Sequence, residues 1–278
     1  MNLLYPLAKR FIAGHDFESA KSQINKLMEE GYEVSIDYLG ELSKTEEDCE
    51  KAKDQYIQII KHFRHKKIDI SIKPSQLGLL LTPVICNNHL NQIAICAKVC
   101  GHTIRLDMED SRVTELTRNI AISLNRRHGN VGVALQANLH RTPQDLKILI
   151  DKKISVRLVK GAYTEIPKIA LQDKRDIEEV FFQYAADLNQ KGHCPAIGTH
   201  DEQIIEDIVD MLPEPNRFDY EFLYGIRRDL QRKMKQDDYN VRVYIPFGED
   251  WLPYTLRRLK EWKNLKFVIC NVVKEWWK

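Results

Sequence analysis

The stretch Ser155–Tyr163, SVRLVKGAY, alternates apolar with polar residues and then turns at a glycine. Its valines and leucine are typical of a β-strand, whereas Lys160 and Gly161 stand where a strand passes into a loop. Arg157 provides a planar set of donors, Lys160 a point charge, and Gly161 lets backbone N–H groups approach a ligand closely. The stretch therefore predicts a strand whose carboxyl end can bind an anion. A solvent-exposed lysine is the simpler interpretation of this segment taken alone.

Seven other segments repeat the order of a strand, a polar turn and a helix. The predicted strands cover residues 32–39, 68–72, 103–106, 131–135, 155–159, 196–198, 218–222 and 241–245. The predicted helices after them cover residues 45–65, 85–100, 112–127, 142–151, 174–191, 202–211, 226–235 and 250–262, and two more precede them at 6–13 and 16–31. Strands that alternate with helices pair in parallel through right-handed crossovers, so eight such units predict a (β/α)8 barrel of the TIM type.

A doubly wound open sheet is the alternative fold. The sequence contains no G-x-G pair, so the glycine fingerprints of dinucleotide-binding and P-loop folds are absent. With 278 residues, 43% hydrophobic content and no linker-like segment, we expect one domain that covers residues 1–278. Apolar residues at helical spacing between Leu265 and Trp276 predict a C-terminal amphipathic helix that packs on the barrel, with a membrane-surface helix as the minority interpretation.

Charge and cysteine content narrow the class of protein. The formal net charge is +2 and basic residues are interspersed with acidic ones, so we expect no nucleic acid partner. No apolar run is long enough to span a membrane, and we expect a cytoplasmic protein, or one peripheral at the inner face of the membrane. The six cysteines include no CxxC pair, so a zinc site near Cys96 and Cys100 is disfavoured, and we expect no metal and reduced thiols.

The carboxyl ends of barrel strands converge on one mouth, where barrel enzymes place their active sites. The polar residues predicted at this mouth are Glu41, Lys73, Asp107, Gln136, Arg157, Lys160, Thr199, His200, Glu221, Tyr224 and Tyr244. The helix after the eighth strand adds Tyr254, Arg257 and Arg258, at spacings that let both arginines stand beside the tyrosine. Paired arginines near a lysine suit a small carboxylate, whereas a solvated helix face is the alternative interpretation of the arginine pair.

Several motifs in a fixed order resemble those of the monofunctional, bacterial-type proline dehydrogenase family. They are SIKPSQLG, RLDMED, ALQANLHRT, RLVKGAY, GTHD, EFLYGIR and VRVYIPFGEDWLPYTLRRLKE, and the similarity covers roughly residues 30–275. The resemblance implies a barrel that carries FAD without a Rossmann fold. It also implies proline catabolism: oxidation of L-proline to Δ1-pyrroline-5-carboxylate, with electrons passed to a membrane quinone. Any pyrroline-5-carboxylate dehydrogenase that acts next is expected to be a separate protein.

The resemblance also implies roles for individual residues. On the substrate side, Lys73, Arg257 and Arg258 would clamp the carboxylate, Asp107 would order these cations, and Leu223, Tyr244 and Tyr254 would enclose the ring. On the flavin side, Arg157 would lie near the N5 edge, Gln136 near the polar rim, and Lys160, Gly161, Ala162, Tyr163, Thr199 and His200 along the ribityl, phosphate and adenine parts. Glu41 would be an acidic gate that pairs with Arg257.

Two residues depart from the family pattern. Thr164 stands where the family commonly has tryptophan, and Asp201 stands where it has asparagine. Either change is expected to weaken FAD retention, unless Asp201 faces away as a helix N-cap. Two alternatives stay open: a barrel flavoenzyme that acts on a related cyclic or N-alkyl amino acid, and a non-catalytic ligand-binding barrel. Tyr244 would crowd a 4-hydroxyl substituent, which argues against 4-hydroxyproline as the substrate of the first alternative.

Overall fold

The computed structural model describes residues 5–262, which contain eight parallel strands closed into a barrel. The strands are β1 (Glu33–Tyr38), β2 (Asp69–Ile72), β3 (Thr103–Leu106), β4 (Val131–Gln136), β5 (Ser155–Val159), β6 (His193–Gly198), β7 (Asp219–Leu223) and β8 (Asn240–Phe247). The helices are α1 (Tyr5–Ala8), α2 (Phe17–Glu29), α3 (Glu46–His62), α4 (Pro83–Val99), α5 (Thr114–His128), α6 (Thr142–Asp151), α7 (Lys174–Lys191), α8 (Glu202–Met211), α9 (Arg228–Gln236) and α10 (Trp251–Trp262). Short 3-10 helices cover Pro74–Leu77 and Pro215–Arg217.

The barrel closes between the first and the last strand. Ser35 of β1 stands opposite Asp69 of β2 on one side and opposite Tyr244 of β8 on the other. All eight neighbouring pairs are parallel and follow the chain order, which excludes the strand-order reversal of a doubly wound sheet. The predicted (β/α)8 barrel is confirmed.

Successive side chains of each strand point alternately to the helices and to the barrel axis. Apolar side chains such as Ile36, Ile70 and Val156 are buried in the hydrophobic core beneath the helices. The residues between them turn to the barrel axis, where many are polar and still buried. These inward-facing residues include Ser35, Asp37, Asp69, Ser71, Lys73, Arg105, Arg157, Glu221 and Arg242. The interior of the barrel is therefore largely polar and depends on mutual ion pairing.

Local signals in the sequence explain where several helices begin and end. Asp16 accepts from the Ser19 N–H at 2.7 Å and forms a capping box, which confirms the predicted N-cap of α2. Thr45 forms the same motif at the start of α3. Pro83 occupies the first turn of α4, and Gly129 ends α5 in the left-handed conformation.

The first predicted helix is partly wrong. A helix was expected at residues 6–13, but α1 ends at Ala8. Residues 9–11 form a turn, and the chain after it lies over the end of β8, where the Ala13 N–H donates to the Pro246 carbonyl at 2.9 Å and the Gly248 N–H donates to the Gly14 carbonyl at 3.1 Å. Among residues 5–262, no helix combines the length and apolar character that crossing a bilayer requires. The amphipathic helix predicted near the C-terminus lies outside the described residues.

Candidate active site

Lys73 is a buried cation at the end of β2. Its Nζ lies 2.9 Å from both carboxylate oxygens of Asp37, which is fully buried, and 3.6 Å from Asp107 Oδ2. Pro74 follows directly and favours the extended backbone that Lys73 adopts, so the side chain leaves the strand in a fixed direction. Burial alone would lower the pKa of Lys73, but the two carboxylates raise it above its usual value. Lys73 therefore stays charged.

Arg157 lies in the centre of the barrel with its guanidinium held by protein groups. Nη1 donates to Glu221 Oε1 at 2.5 Å and to Ser71 Oγ at 3.1 Å, and Nη2 donates to Asp107. The guanidinium carbon also lies 5.2 Å from the centre of the Tyr244 ring. Groups at β2, β3, β7 and β8 thus fix the Arg157 side chain of β5. Its position depends on the closure of the barrel.

Asp107 connects three of the predicted site residues. Besides Arg157, it accepts from the Tyr244 hydroxyl at 2.7 Å, and Lys73 is its near neighbour. Burial and the Asp107 charge hold the pKa of Tyr244 well above its usual value, so the phenol keeps its proton and donates. The side chain of Asp107 is 13% exposed, more than those of Lys73 and Arg157, because it lies on the side that opens to the mouth.

The rim of the mouth carries a second ion pair. Arg257 Nη2 and Nη1 lie 2.8 and 3.2 Å from the two carboxylate oxygens of Glu41, which is the bidentate geometry of a strong pair. The Arg257 side chain is 42% exposed, so water weakens the pair. The Arg258 guanidinium lies 5.3 Å from the centre of the Tyr254 ring. Both arginines of α10 are therefore held by partners at the rim, and the contact between Arg257 and Glu41 is the one that the resemblance implies.

Tyr163 extends toward these charges. Burial raises the pKa of its hydroxyl, and the nearby carboxylates of Glu41 and Glu109 raise it further, while Lys73 opposes them. The residue was assigned to the flavin side by resemblance, and its hydroxyl lies within the electrostatic field of the substrate-side groups. Tyr163 is thus close enough to the substrate-side charges for them to act on its hydroxyl.

Lys160 has two carboxylate partners on the opposite side of the mouth. Its Nζ lies 2.8 Å from Glu178 Oε1 and 2.6 Å from Asp201 Oδ2. Asp201 occupies the N-cap position of α8 but makes no side-chain capping bond. Burial would raise the pKa of Asp201, but the bond to Lys160 lowers it below its usual value. The suggestion that Asp201 faces away as a cap is therefore wrong: its carboxylate binds the predicted cofactor lysine.

His200 is fixed as a neutral imidazole. Its Nε2 accepts from the Leu223 N–H at 2.9 Å, so in the neutral ring the proton is on Nδ1. Burial, helped by the positive charges of Arg258 and Arg227, lowers the pKa of His200 to about 3. The hydrogen bond between His200 and Leu223 ties the end of β6 to the end of β7.

The ends of β4, β5 and β6 pack closely at two glycines. Gly161 has a φ of +120°, and a Cβ there would lie 2.2 Å from Asn138 Oδ1. A Cβ at Gly198 would lie 2.9 Å from the Val159 side chain. Within the described part of the chain, the buried Asn138 Oδ1 has no hydrogen-bond partner. This spare acceptor fits a ligand with a ring N–H group, such as a flavin.

Gln136 and Thr199 complete the predicted cofactor side. Gln136 is buried at the end of β4, and its Nε2 donates to the Glu109 carbonyl at 2.9 Å. Thr199 Oγ1 accepts from the Asp201 N–H at 3.2 Å. Ala162 is exposed in the loop after β5. These residues surround the same mouth as the charged cluster, although the roles assigned to them by resemblance stay predictions.

Tyr224 does not belong to the mouth. Its hydroxyl donates to Gln23 Oε1 of α2 at 3.2 Å, outside the barrel. Tyr220, Phe222 and Tyr224 are buried in the hydrophobic core, on the face of the segment opposite to Glu221. The prediction that Tyr224 lines the site is therefore wrong, and the two-residue period of the strand is the physical reason.

Two carboxylates that support the site were missed in the sequence. Asp37 has the same inward parity as Ser35, so the alternation in β1 could have revealed it. Glu109 accepts from the Ser75 N–H at 2.9 Å and so holds the segment after Lys73. No local signal predicts this second contact, because it joins the turns of two different strands.

Comparisons with known proteins agree with this architecture. The family model described as proline dehydrogenase matches residues 20–268. Proline dehydrogenase 1 of Bacillus subtilis subsp. natto is 33% identical over 276 residues, covering 96% of this chain and 91% of that protein. Proline dehydrogenase of Deinococcus radiodurans is 34% identical over 289 residues, covering 98% and 91%.

A solved structure shows the same fold. Proline utilization A from Bdellovibrio bacteriovorus, inactivated by N-propargylglycine, superposes with a TM-score of 0.85 at 20% sequence identity. The match covers 93% of this chain but 33% of that longer chain. The likeness therefore supports the barrel and says nothing by itself about the rest of that protein.

Proposed function

Because the chain belongs to the proline dehydrogenase family, we propose that it oxidises L-proline to Δ1-pyrroline-5-carboxylate with FAD in the barrel mouth and a membrane quinone as electron acceptor. The observation that carries this proposal is the convergence on Asp107. Lys73, Arg157 and Tyr244 come from three different strands and all contact or adjoin this carboxylate. Such a cluster pre-orients cations and a phenol at one side of the mouth before any ligand arrives.

The substrate carboxylate would be bound by Lys73 from below and by Arg257 and Arg258 from α10. Arg257 is paired with Glu41 in the structure, and an incoming carboxylate offers the same bidentate geometry. Substrate binding is thus an exchange of one carboxylate for another at a half-exposed arginine. Glu41 would return to Arg257 when the product leaves, which is the gate function implied by the resemblance.

The pyrrolidine ring would lie against Tyr244, Tyr254 and Leu223. Tyr244 is buried and its hydroxyl is fixed by Asp107, so it presents a rigid wall. A 4-hydroxyl substituent on the ring would meet this phenol, which favours plain proline over the alternative of a related cyclic amino acid. We expect L-proline to be turned over with a much higher kcat/KM than 4-hydroxyproline, and equal values would favour the alternative.

FAD, when bound, would supply the ring that accepts electrons from the substrate. The residues that would hold it are Arg157 and Gln136 toward the flavin ring, and Lys160, Gly161, Ala162, Tyr163, Thr199 and His200 toward the rest of the cofactor. The spare Asn138 acceptor supports this assignment. His200 would serve as a neutral hydrogen-bonding group, because its low pKa keeps it uncharged at physiological pH.

The product and the electrons would pass to separate partners. A pyrroline-5-carboxylate dehydrogenase on another chain would use the product, and a quinone would require the protein to meet the inner face of the membrane at least transiently. Among the relatives, a protein of Escherichia coli is named bifunctional protein PutA, and the match covers 23% of it. Most of that relative lies outside the match.

Dye reduction with L-proline as donor tests the proposal. Purified protein should be yellow, and Arg257→Ala and Arg258→Ala should each raise the KM for proline by about tenfold to a hundredfold, as expected when a charge-assisted bond worth about 1.5–3 kcal/mol is lost. Arg126→Ala, an exposed arginine at the end of α5, is the matched control and should leave KM unchanged. Colourless protein that refuses added FAD would instead favour the non-catalytic barrel.

A further inference from the structure

The N-terminal arm, which we define as residues 5–14, helps to form a hydrophobic core separate from the main core of the barrel. Its buried members are Ala8, Phe11, Ile12, Leu39 and Tyr254. Phe11 is completely buried there, although it precedes the first strand by more than twenty residues. A second core of this kind stabilises the elements that surround it, which are the arm, the end of β1, the turn after β7 with Ile226, and α10.

The far end of the arm is fixed to the barrel through its backbone. The bonds between Ala13 and Pro246 and between Gly14 and Gly248 hold it against the end of β8. Gly225, in the turn after β7, has a φ of +76°, and a Cβ there would lie 1.7 Å from the Arg10 carbonyl oxygen. Only glycine allows the arm to approach this turn so closely. The arm is therefore anchored on two neighbouring strand ends.

Helix α10 packs on this anchored arm. The ring of Tyr5 lies 5.3 Å from the ring of Trp251 at an interplanar angle of 65°, an edge-to-face contact. Tyr254, one turn further along, is 6% exposed and belongs to the second core. The Arg258 guanidinium lies over the Tyr254 ring, and Arg257 is its neighbour in sequence. The positions of Arg257 and Arg258, the two candidate carboxylate anchors, thus depend on a helix that packs on the arm.

The same core also supports the other partner of the rim ion pair. Leu39 lies two residues before Glu41, and a Cβ on Gly248 would lie 3.3 Å from the Leu39 side chain and backbone. One small core therefore lies beneath both Glu41 and Arg257. We expect a change in the packing of this core to alter the distance between Glu41 and Arg257.

We propose that the N-terminal arm is a positioning element of the active site and that Phe11 is its central residue. Phe11 holds α10 at the distance from the barrel at which Arg257 and Arg258 act together with Lys73 on one carboxylate. A supporting shell of this kind decides whether anchoring groups meet a ligand in the productive geometry. The substrate assignment in this statement rests on the proposed function, whereas the seating of α10 on the arm does not.

Phe11→Ala in the FAD-loaded protein is the test, and Phe181→Ala is the matched control, because Phe181 of α7 is also completely buried but lies in the main core. Phe11→Ala should speed hydrogen exchange in residues 251–259 and raise the KM for L-proline about tenfold, with kcat changed by less than about twofold. Phe11→Leu should restore most of the affinity. Phe181→Ala should lower the melting temperature and leave KM and the exchange of α10 unchanged.

Unchanged exchange in α10 and unchanged KM in Phe11→Ala would overturn the proposal, as would a KM increase of equal size in Phe181→Ala. If Phe11→Ala fails to fold, Tyr5→Ala takes its place, because Tyr5 is half-buried at the edge of this core and its loss spares the barrel. Exchange is measured without substrate, so it tests the seating of α10 even if the chain does not oxidise proline.

Discussion

Removal of the Lys73 charge offers a sharp test of the polar barrel interior. In Lys73→Met the side chain keeps its approximate length, but Asp37 loses the partner that binds both of its oxygens at 2.9 Å. Asp37 has no exposed surface from which to recruit water. Removing one member of a buried ion pair costs about 3–5 kcal/mol, because the remaining charge stays buried.

The expected change in melting temperature follows from the size of the chain. At about 2.1 cal/mol/K per residue, a domain of 278 residues has an unfolding entropy of about 0.6 kcal/mol/K. A loss of about 3–5 kcal/mol therefore lowers the melting temperature by about 5–8 °C. Circular dichroism or calorimetry at pH 8 measures it. The double variant Asp37→Leu with Lys73→Met removes both charges and should recover most of the loss, since an apolar pair of similar volume replaces the ion pair.

The same variant predicts a dependence on pH with a definite sign. Burial raises the pKa of Asp37 and Lys73 opposes this, so the pKa of Asp37 should rise further when the lysine is removed. A carboxyl whose pKa is higher in the folded than in the unfolded state binds a proton on folding, and its contribution to stability falls as the pH rises. The variant should therefore be closer to the wild type at pH 5.5 than at pH 8.

Two results would refute this reasoning. One is a Lys73→Met protein within about 2 °C of the wild type at pH 8, less than the smallest loss that a buried unpaired charge implies. The other is a double variant no more stable than the single one, because the loss would then come from packing and not from the unpaired Asp37 charge.

Two further substitutions test the cofactor and gate assignments. Asp201→Asn removes one of the two carboxylates that bind Lys160. It should tighten FAD binding about threefold to tenfold in a fluorescence titration, because a phosphate of the cofactor then competes with less negative charge for Lys160. Asp210→Asn, on the exposed side of α8, should leave the affinity for FAD unchanged, and equal effects of the two variants would contradict the assignment of Lys160 to the cofactor. Glu41→Gln weakens the contact with Arg257 and should slow release of a bound carboxylate ligand severalfold in stopped-flow experiments, because the competing carboxylate is lost, whereas unchanged release would argue against a gate.

The eight strand–helix units could be predicted closely because each depends on neighbouring residues. Alternation of apolar residues marks a strand, and caps such as Asp16 mark a helix start, so most predicted bounds lie within a few residues of the observed ones. The prediction of the first helix was wrong beyond Ala8 because of contacts with residues far away in sequence. The chain beyond it pairs with Pro246 and Gly248, more than 230 residues away in sequence, and these contacts override its helical pattern.

The predictions of site residues were wrong where the direction of a side chain decided its partner. Tyr224 was placed at the mouth although its parity turns it toward Gln23, and the alternative that Asp201 faces away as a helix cap is wrong because Lys160 offers its carboxylate a stronger, charged donor. Asp37 was overlooked although its inward parity could be read from β1. These errors share a cause: the types of residue in the sequence were correct, but their partners belong to other strands.

The sequence by itself determined the order of the elements, the closed barrel and the set of charged residues that collect at one end, since periodicity and parallel pairing follow from local chemistry. Tertiary structure alone decided which charges meet. The engagement of Arg157 by Asp107 and Glu221, the pairing of Lys73 with Asp37, and the seating of α10 on the N-terminal arm each depend on distances between segments far apart in the chain. Such distances are set by the closure and packing of the whole barrel, which no short stretch of residues encodes.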